Sequence, residues 1–264
     1  MTFLVSDLTL CVEAEVERNI TTMGIVLSSQ RSGGLNRKLR ILTVDYGIVE
    51  VVSYGAQKSQ KAVKAELCTD GNFFLYFNPV KKTYALSDVQ VLSLHESLRQ
   101  DLALNYASLF FCEMVLKTNG GDYGLVYSLL SKALDLLEDS TKERNQVLIQ
   151  FIWKLIDICG LKSDLSCCPL CDHPYEKDEI LGFSFSLTAP CCINCATVKD
   201  DFLLTPGARR YLAFTSTMDY QTAVDVPLSP IAQRRIKLYL LRYASIICGG
   251  SLKTLEGSIL QVQL

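Results

Sequence analysis

The stretch Leu39-Arg-Ile-Leu-Thr43-Val-Asp45-Tyr46-Gly47-Ile48-Val-Glu-Val-Val-Ser53 reads as two strands joined by a turn. Leu39–Thr43 alternates or runs apolar, and Asp45-Tyr46-Gly47 carries turn chemistry. Ile48–Ser53 is β-branched and alternates poorly, as a buried strand does. Three more short strands flank this hairpin. Met23–Leu27 precedes it across the polar, glycine-containing turn Gln30–Gly34. The aromatic run Asn72–Asn78 and then Tyr84–Leu94 follow it, with a turn at Pro79-Val-Lys-Lys82. The basic segment Tyr54–Leu67, carrying Lys58, Lys61 and Lys64, separates the third strand from the fourth. Five short strands in about seventy residues predict a small closed barrel of the OB type over 23–95. Residues 1–22, with Glu13, Glu15 and Glu17 and few large apolar side chains, read as an extension preceding that fold.

After His95 the period changes. Glu96–Lys117 has helical spacing (Leu98, Leu102, Tyr106, Leu109, Phe110, Met114) and stops at Asn119-Gly120-Gly121. Asp122 reads as the N-cap of a helix over Tyr123–Glu138. Ser140 or Thr141 reads as the cap of a third helix, with Glu143 in its first turn and Gly160 at its end. Thr205-Pro206 and Ser229-Pro230 each open a further helix, with proline at the first helical position. The expected class is therefore α+β multidomain: the five-stranded barrel, then an all-helical domain over 96–264 with a four-cysteine zinc loop (166–197) inserted.

That loop carries Cys168-Pro-Leu-Cys171 and Cys192-Ile-Asn-Cys195. Two residues between thiols let a tight turn aim both sulfurs at one ion, and two such turns make a tetrahedral four-thiolate site, the usual geometry of structural Zn2+. Cys167 and Cys191 adjoin the inner positions, so three-residue pairings Cys167/Cys171 and Cys191/Cys195 are alternatives to the symmetric set. His173 is near enough to replace a thiol, although Pro174 constrains its loop. Eleven cysteines, an odd number, argue against a disulfide framework. A thioredoxin-like pair belongs at a helix start after a strand, whereas the preceding segment here is helical.

The chain has two histidines, His95 and His173, and neither is followed by Glu two residues later. Zinc-deaminase and His-based hydrolytic chemistry lack their parts. No Gly-x-x-x-x-Gly-Lys-Ser/Thr loop is present, so an ATP-driven motor is not supported. No apolar run is long enough to span a membrane without interruption by charge. Net charge is −2, but it is unevenly placed. Gly24–Lys82 holds nine Lys/Arg against four Asp/Glu, Glu96–Asp200 nine against fifteen, and Asp201–Leu264 seven against four. Two mildly basic zones flank an acidic middle, and a polyanion responds to local potential rather than to the total.

The order of barrel, helices and four-cysteine loop resembles the RecO family of recombination mediator proteins. Ile25-Val-Leu27 resembles that family's first strand. Thr43-Val-Asp-Tyr-Gly47 resembles its Thr-x-x-x-Gly turn, and Gly55-Ala-Gln-Lys58 its Gly-Ala-Arg-Lys element. Tyr106 and Glu113 match a helix pattern, and Ile158-Cys-Gly160 the approach to the metal loop. The likeness covers roughly residues 23–250 as an order of weak motifs. Asn36 and Gln57 depart from the family's common Asp and basic residue, and Phe183–Pro190 is less glycine-rich.

The resemblance implies a bacterial, cytoplasmic, nucleoid-associated repair protein that is not an enzyme. Such proteins bind single- and double-stranded DNA and anneal complementary strands, including strands coated with single-strand-binding protein. With RecR they help load RecA. On this reading the DNA-binding candidates in the barrel are Arg37, Lys38, Arg40, Lys58, Lys61, Lys64, Lys81 and Lys82, with Phe74, Tyr76 and Tyr84 as stacking candidates. In the last long helix they are Arg234, Arg235 and Arg242, joined by Arg209 and Arg210. The same zone is a candidate seat for the acidic, hydrophobic C-terminal tail of single-strand-binding protein. Ile236, Leu240, Tyr243 and Ile247 form a separate apolar stripe that reads as core. The alternative is a thiol–disulfide or zinc-ribbon protein-interaction scaffold without DNA annealing.

Overall fold

In a computed structural model that describes residues 18–55, 65–198, 202–257 and 259–262, the alternating segments form five strands. They are β1 (Asn19–Ser32), β2 (Asn36–Thr43), β3 (Gly47–Ser53), β4 (Asp70–Asn78) and β5 (Thr83–Ser93). Their order is β1-β2-β3-β5-β4, with β4 returning to β1, so the sheet closes into a barrel. All pairings are antiparallel except β3 with β5. Closure leaves no long free edge, which is how a five-stranded antiparallel unit avoids edge-to-edge association. Val26, Leu39, Ile41, Val49, Val51, Phe73 and Leu75 fill the interior at period two.

Two strands differ from their reading in sequence. β1 starts four residues before Met23 and continues through Ser32, because its polar ends pair with β4 on one side and β2 on the other. The segment Gln30–Ser32, read as turn, is strand. β3 does alternate: Val49 and Val51 are buried, whereas Glu50 between them is exposed.

Glycine permits the tight curl. Gly24 and Gly71 lie opposite each other across β1 and β4. A Cβ on Gly24 would sit 2.5 Å from the Leu42 carbonyl oxygen, and one on Gly71 2.5 Å from that of Gln90. Neither neighbour is a flexible side chain, so the backbone itself would have to move.

The helical part begins with a 3-10 turn, Glu96–Arg99, and then α1 (Leu102–Thr118). The single helix expected from Glu96 is interrupted because Asp101 turns its side chain back to accept from the Ala103 and Leu104 amides (2.8 and 3.1 Å), which starts a new helix there. Asp122 caps α2 (Tyr123–Glu138) as its position in the sequence suggests. Glu143, rather than Ser140 or Thr141, is the cap of α3 (Arg144–Ile158). Thr141 is held instead by Asp139, which accepts from both its amide and its hydroxyl.

Helix α3 is buried nearly all round, as expected of the central element of a bundle. Phe151 stacks on Phe111 of α1 at 3.9 Å between ring centroids. A short hairpin, β6 (Leu181–Ser184) and β7 (Ala189–Cys192), precedes α4 (Pro206–Ser216), α5 (Tyr220–Val224) and α6 (Pro230–Ile247). Trp153 donates to the Leu212 carbonyl at 3.0 Å, and Lys154 donates to the Thr215 and Ser216 carbonyls at 2.9 Å. The ammonium thus satisfies the end of α4, where the helix dipole favours a cation. Glu113 of α1 accepts the Lys253 and Thr254 amides, tying the segment after α6 to the bundle.

The two parts share a core. Ile25, Leu27 and Leu42 point out of the barrel and join the cluster that contains Phe110, Phe111 and Val126. Gly47 (φ +69°) lies beneath the Tyr123 ring, so the β2–β3 turn also abuts α2. Replacing Gly71 by Ala is expected to cost about 1–3 kcal/mol in urea unfolding, the usual range for overpacking. Gly207→Ala in α4, where nothing lies within 4 Å of the new methyl, is expected to be neutral or stabilising by about 0.5 kcal/mol.

Candidate metal centre and cationic surfaces

The ligand atoms of Cys168, Cys171, Cys192 and Cys195 all lie within 4.8 Å of one another. Cys171 Sγ is 3.7 Å from Cys192 Sγ. Four sulfurs held about 2.3 Å from a common tetrahedral centre stand about 3.8 Å apart, so the donors fit one thiolate-loving ion. Cys168 and Cys192 are buried, Cys195 is half-buried and Cys171 is exposed, which gives the group an inner wall and an outer one.

Local backbone builds each turn. The Asp172 amide donates to the Cys168 carbonyl and the Cys168 amide to the His173 carbonyl, both at 2.9 Å, with Asp172 in the left-handed region at φ +57°. The Cys195 amide closes the second turn on the Cys192 carbonyl at 3.0 Å. That turn folds back over β6, where a Cβ on Gly182 would come within 2.5 Å of the Ala196 methyl. Glycine is therefore required under the second cysteine pair.

The structure also separates the adjacent thiols. Cys191 and Cys192 are successive residues of β7, so their side chains leave the hairpin on opposite faces. Cys192 joins the four-sulfur group; Cys191 is fully buried, and its thiol is pushed up to about 11 by burial and by nearby thiols. Cys167 pairs in a bridge with Pro174 and directs its sulfur to Asp164 at 3.8 Å. His173 engages Glu179 at 3.4 Å. The two-residue spacing is the one that assembles.

The electrostatics of the four thiols are unequal. Burial alone raises Cys168, but the amides of Cys192, Leu170 and Cys171 outweigh it and hold the thiol at about 6. Hydrogen bonding from Cys192 and Cys171, then burial, drives Cys195 up to about 12. The first thiolate forms readily and the last resists ionisation while no cation offsets the accumulating charge. Leu181 and Phe183 of β6 sit in the main helical core, so the centre is anchored to the bundle.

The cationic candidates fall into three groups. On the barrel, Arg37 faces Arg31 across β1–β2. These two and Arg99 line a cavity of about 390 Å³ with Ser29, Glu66, Leu67 and Asn105. Arg99 is bonded to Glu66 and to the Leu67 carbonyl. Sequence reading missed Arg31 because Gln30–Ser32 reads as a turn; the signal available was the Ser29/Arg31 alternation continuing β1. Lys38 and Arg40 both pair with Glu50, at 2.7 and 3.3 Å, and hold its carboxyl below the usual range. Lys81 and Lys82 are exposed in the β4–β5 turn, while Lys58, Lys61 and Lys64 lie outside the described residues. Phe74 and Tyr76 point outward from β4, alternating with buried Phe73 and Leu75, and Tyr84 packs on Phe77.

In the bundle, Arg235 and Arg242 line a groove of about 380 Å³ with Leu203, Leu204, Thr205, Ala208, Leu238 and Tyr239. Arg234 is exposed outside this groove, near Lys237, whose ammonium is pushed down by burial and then by Arg234. Arg209 is not available as a surface contact. It is buried, bonded to the Glu176 and Lys177 carbonyls, and lies over the Tyr175 ring. Its helical position cannot reveal this, because the loop that covers it folds back from far away in sequence. Arg210 is bonded to the Lys177 carbonyl and lies 3.5 Å from Asp178.

The family model named "Recombination protein O C terminal" matches residues 99–256, more than half of the chain. The chain belongs to the recombination protein O family. Relatives of this RecO family align over nearly the whole fold. The DNA repair protein RecO of Bacillus pumilus (strain SAFR-032) is 25% identical over 241 residues, covering 89% of this chain and 91% of the relative. That of Alkaliphilus metalliredigens (strain QYMF) is 26% identical over 237 residues, covering 86% and 93%. The family match starts at Arg99, just after the barrel, and encloses the four-cysteine centre. Among the described residues no helix is long and apolar enough to cross a membrane.

Cys168→Ser or Cys192→Ser is expected to reduce metal affinity by more than about tenfold and to lower the unfolding midpoint together. Elemental analysis alongside thermal melting reads both. Full metal occupancy in both variants would show that the ligand set is wrong.

Proposed function

We propose that the protein is a non-enzymatic mediator of recombinational DNA repair. On this reading it binds single- and double-stranded DNA, anneals complementary strands and, with RecR, helps load RecA at strand coated with single-strand-binding protein. A cytoplasmic, nucleoid-associated location follows from that role. The observation that carries the reading is the Arg31/Arg37 pair on the barrel, which with Arg99 lines one cavity in a chain of the RecO family. Like charges directly opposite on neighbouring strands repel, and a phosphate placed between them relieves that repulsion. Annealing needs two polyanions to approach. Fixed guanidinium groups lower the cost of that approach, while outward aromatics such as Phe74 and Tyr76 offer faces for unpaired bases.

Lys38 and Arg40 support the same role in modified form. Their pairing with Glu50 is exposed, and exposed pairs contribute little, so a phosphate can replace the carboxylate. The four-thiolate centre is read as structural Zn2+. Four cysteine donors leave no open position for water or substrate, so the ion fixes the loop rather than acting on DNA.

The groove beside α6 supports a second role, docking of the acidic, hydrophobic tail of single-strand-binding protein. Its floor is apolar, Arg235 and Arg242 are at its wall, and the Tyr239 hydroxyl is buried with no hydrogen-bond partner among the described residues. An acidic peptide ending in apolar residues matches that combination of charge and cavity.

A fluorescence annealing assay without ATP tests the main reading. Arg31→Ala/Arg37→Ala is expected to slow annealing. It should also make the salt dependence of oligonucleotide affinity shallower, by about one in log–log slope for each phosphate that is no longer neutralised. Wild-type protein that leaves oligonucleotides unbound in dilute buffer would overturn it. Reduction of an insulin-type disulfide would instead favour thiol chemistry. For the groove, Arg235→Ala/Arg242→Ala is expected to weaken a fluorescein-labelled acidic tail peptide while preserving oligonucleotide affinity at the barrel. Unchanged peptide binding would remove the groove from the account.

A further inference from the structure

A second cluster of ligand atoms lies where the barrel meets the helices, away from the cysteine loop. His95 leaves β5 with a left-handed backbone (φ 45°, ψ 47°) and makes no capping bond to the turn it opens. Its ring is directed instead into the junction with α2 and is 3% exposed. Nδ1 is 2.7 Å from Glu138 Oε2, and Nε2 is buried with no hydrogen-bond partner among the described residues. One atom each from His95, Asp135 and Glu138 lies within 4.8 Å of the others.

Acidic groups dominate this junction. Along α2, Tyr127, Ser131, Asp135 and Glu138 recur at helical spacing and share a face. The Tyr127 and Ser131 hydroxyls each donate to Asp70 at 2.8 Å, and Ser97 donates to Glu138. Among the described residues no Lys or Arg forms an ion pair with Asp70, Asp135 or Glu138. Two carboxylates beside one imidazole, with no Lys or Arg ion-paired to them among the described residues, make a site that positive charge relieves.

We propose that His95, Asp135 and Glu138 bind a divalent first-row transition-metal ion, of the Mn2+ or Zn2+ class, that bridges the exit of the barrel to helix α2. One imidazole nitrogen with two carboxylate oxygens is a donor set such ions accept at about 2.0–2.2 Å; His95 and Glu138, hydrogen-bonded at 2.7 Å, part slightly to admit the ion while Asp135 closes on it. Asp135 is exposed, which gives the ion an entry path and leaves positions for water. The imidazole must be neutral to ligate, so proton and metal ion compete for it. Held this way, the ion ties the exit of the last barrel strand to helix α2, beside the hydrogen bonds that already link α2 to Asp70 and Ser97.

Mn2+ is the probe, because the four-thiolate centre prefers softer ions and carboxylate sites accept it. Full-length protein with its thiolate metal retained is titrated with Mn2+, and the free ion is counted by electron paramagnetic resonance. One bound Mn2+ per chain is expected, with the nitrogen coupling of a single imidazole seen by spin-echo modulation. The coupling should persist in His173→Ala and Cys168→Ser. Asp135→Asn, a change at an exposed position, should weaken Mn2+ at least tenfold. Wild-type protein that binds no Mn2+, binds it without imidazole coupling, or binds it equally after Asp135→Asn would overturn the assignment. The wild-type coupling keeps the test decisive even if a variant fails to fold.

Discussion

Ile25, Leu27 and Leu42 turn away from the barrel interior and into the core built by α1, α2 and α3. The same two strands send Val26, Leu39 and Ile41 inward. β1 and β2 are therefore buried on both faces, and the barrel cannot shed the helices without exposing a row of large aliphatic side chains to water. This constraint fixes everything placed on either part. It holds Arg31 and Arg37 of the barrel beside Arg99 from the first turn after it, so one cavity draws on both. It likewise sets His95 against α2.

The four-cysteine centre depends on the same core from the other side. Leu181 and Phe183 bury the β6 strand while Gly182 between them admits the second cysteine turn. The sulfurs are thus carried on an element already fixed by apolar packing, which differs from a small zinc domain whose metal supplies most of its stability. Loss of a metal held by these sulfurs would loosen the outer knuckle, where Cys171 is exposed, before it reached the hydrophobic base of the hairpin.

Much of this was legible in sequence because period-two and period-3.6 patterns report which faces are covered. The apolar and aromatic runs placed the five barrel strands, though the alternation of Val49 and Val51 about Glu50 emerged only in the structure, and Asp122 and Ser229-Pro230 mark helix starts that the structure retains. The paired thiols pointed to the four-sulfur cluster, and strand alternation then placed Cys192 rather than Cys191 in it. What escaped was set by distant partners. Gln30–Ser32 is strand because β2 pairs with it, not because its residues favour strand. Arg209 is buried by a loop more than thirty positions earlier (Glu176 and Lys177), so its spacing on α4 gave no hint of burial. β6 and β7 are four residues each, too short for periodicity to register.

The Arg31–Arg37 register has a consequence for how ionic strength acts on this molecule. With no anion between them, the two guanidinium groups oppose the pairing of β1 with β2, and dissolved salt screens that repulsion. Screening would also remove the counterion-release gain of the polyanion proposed to bind the same face. If this face binds nucleic acid as proposed, the medium that most favours the empty barrel is the one in which it would hold nucleic acid least, and folding and binding would have opposed optima set by a single cross-strand pair.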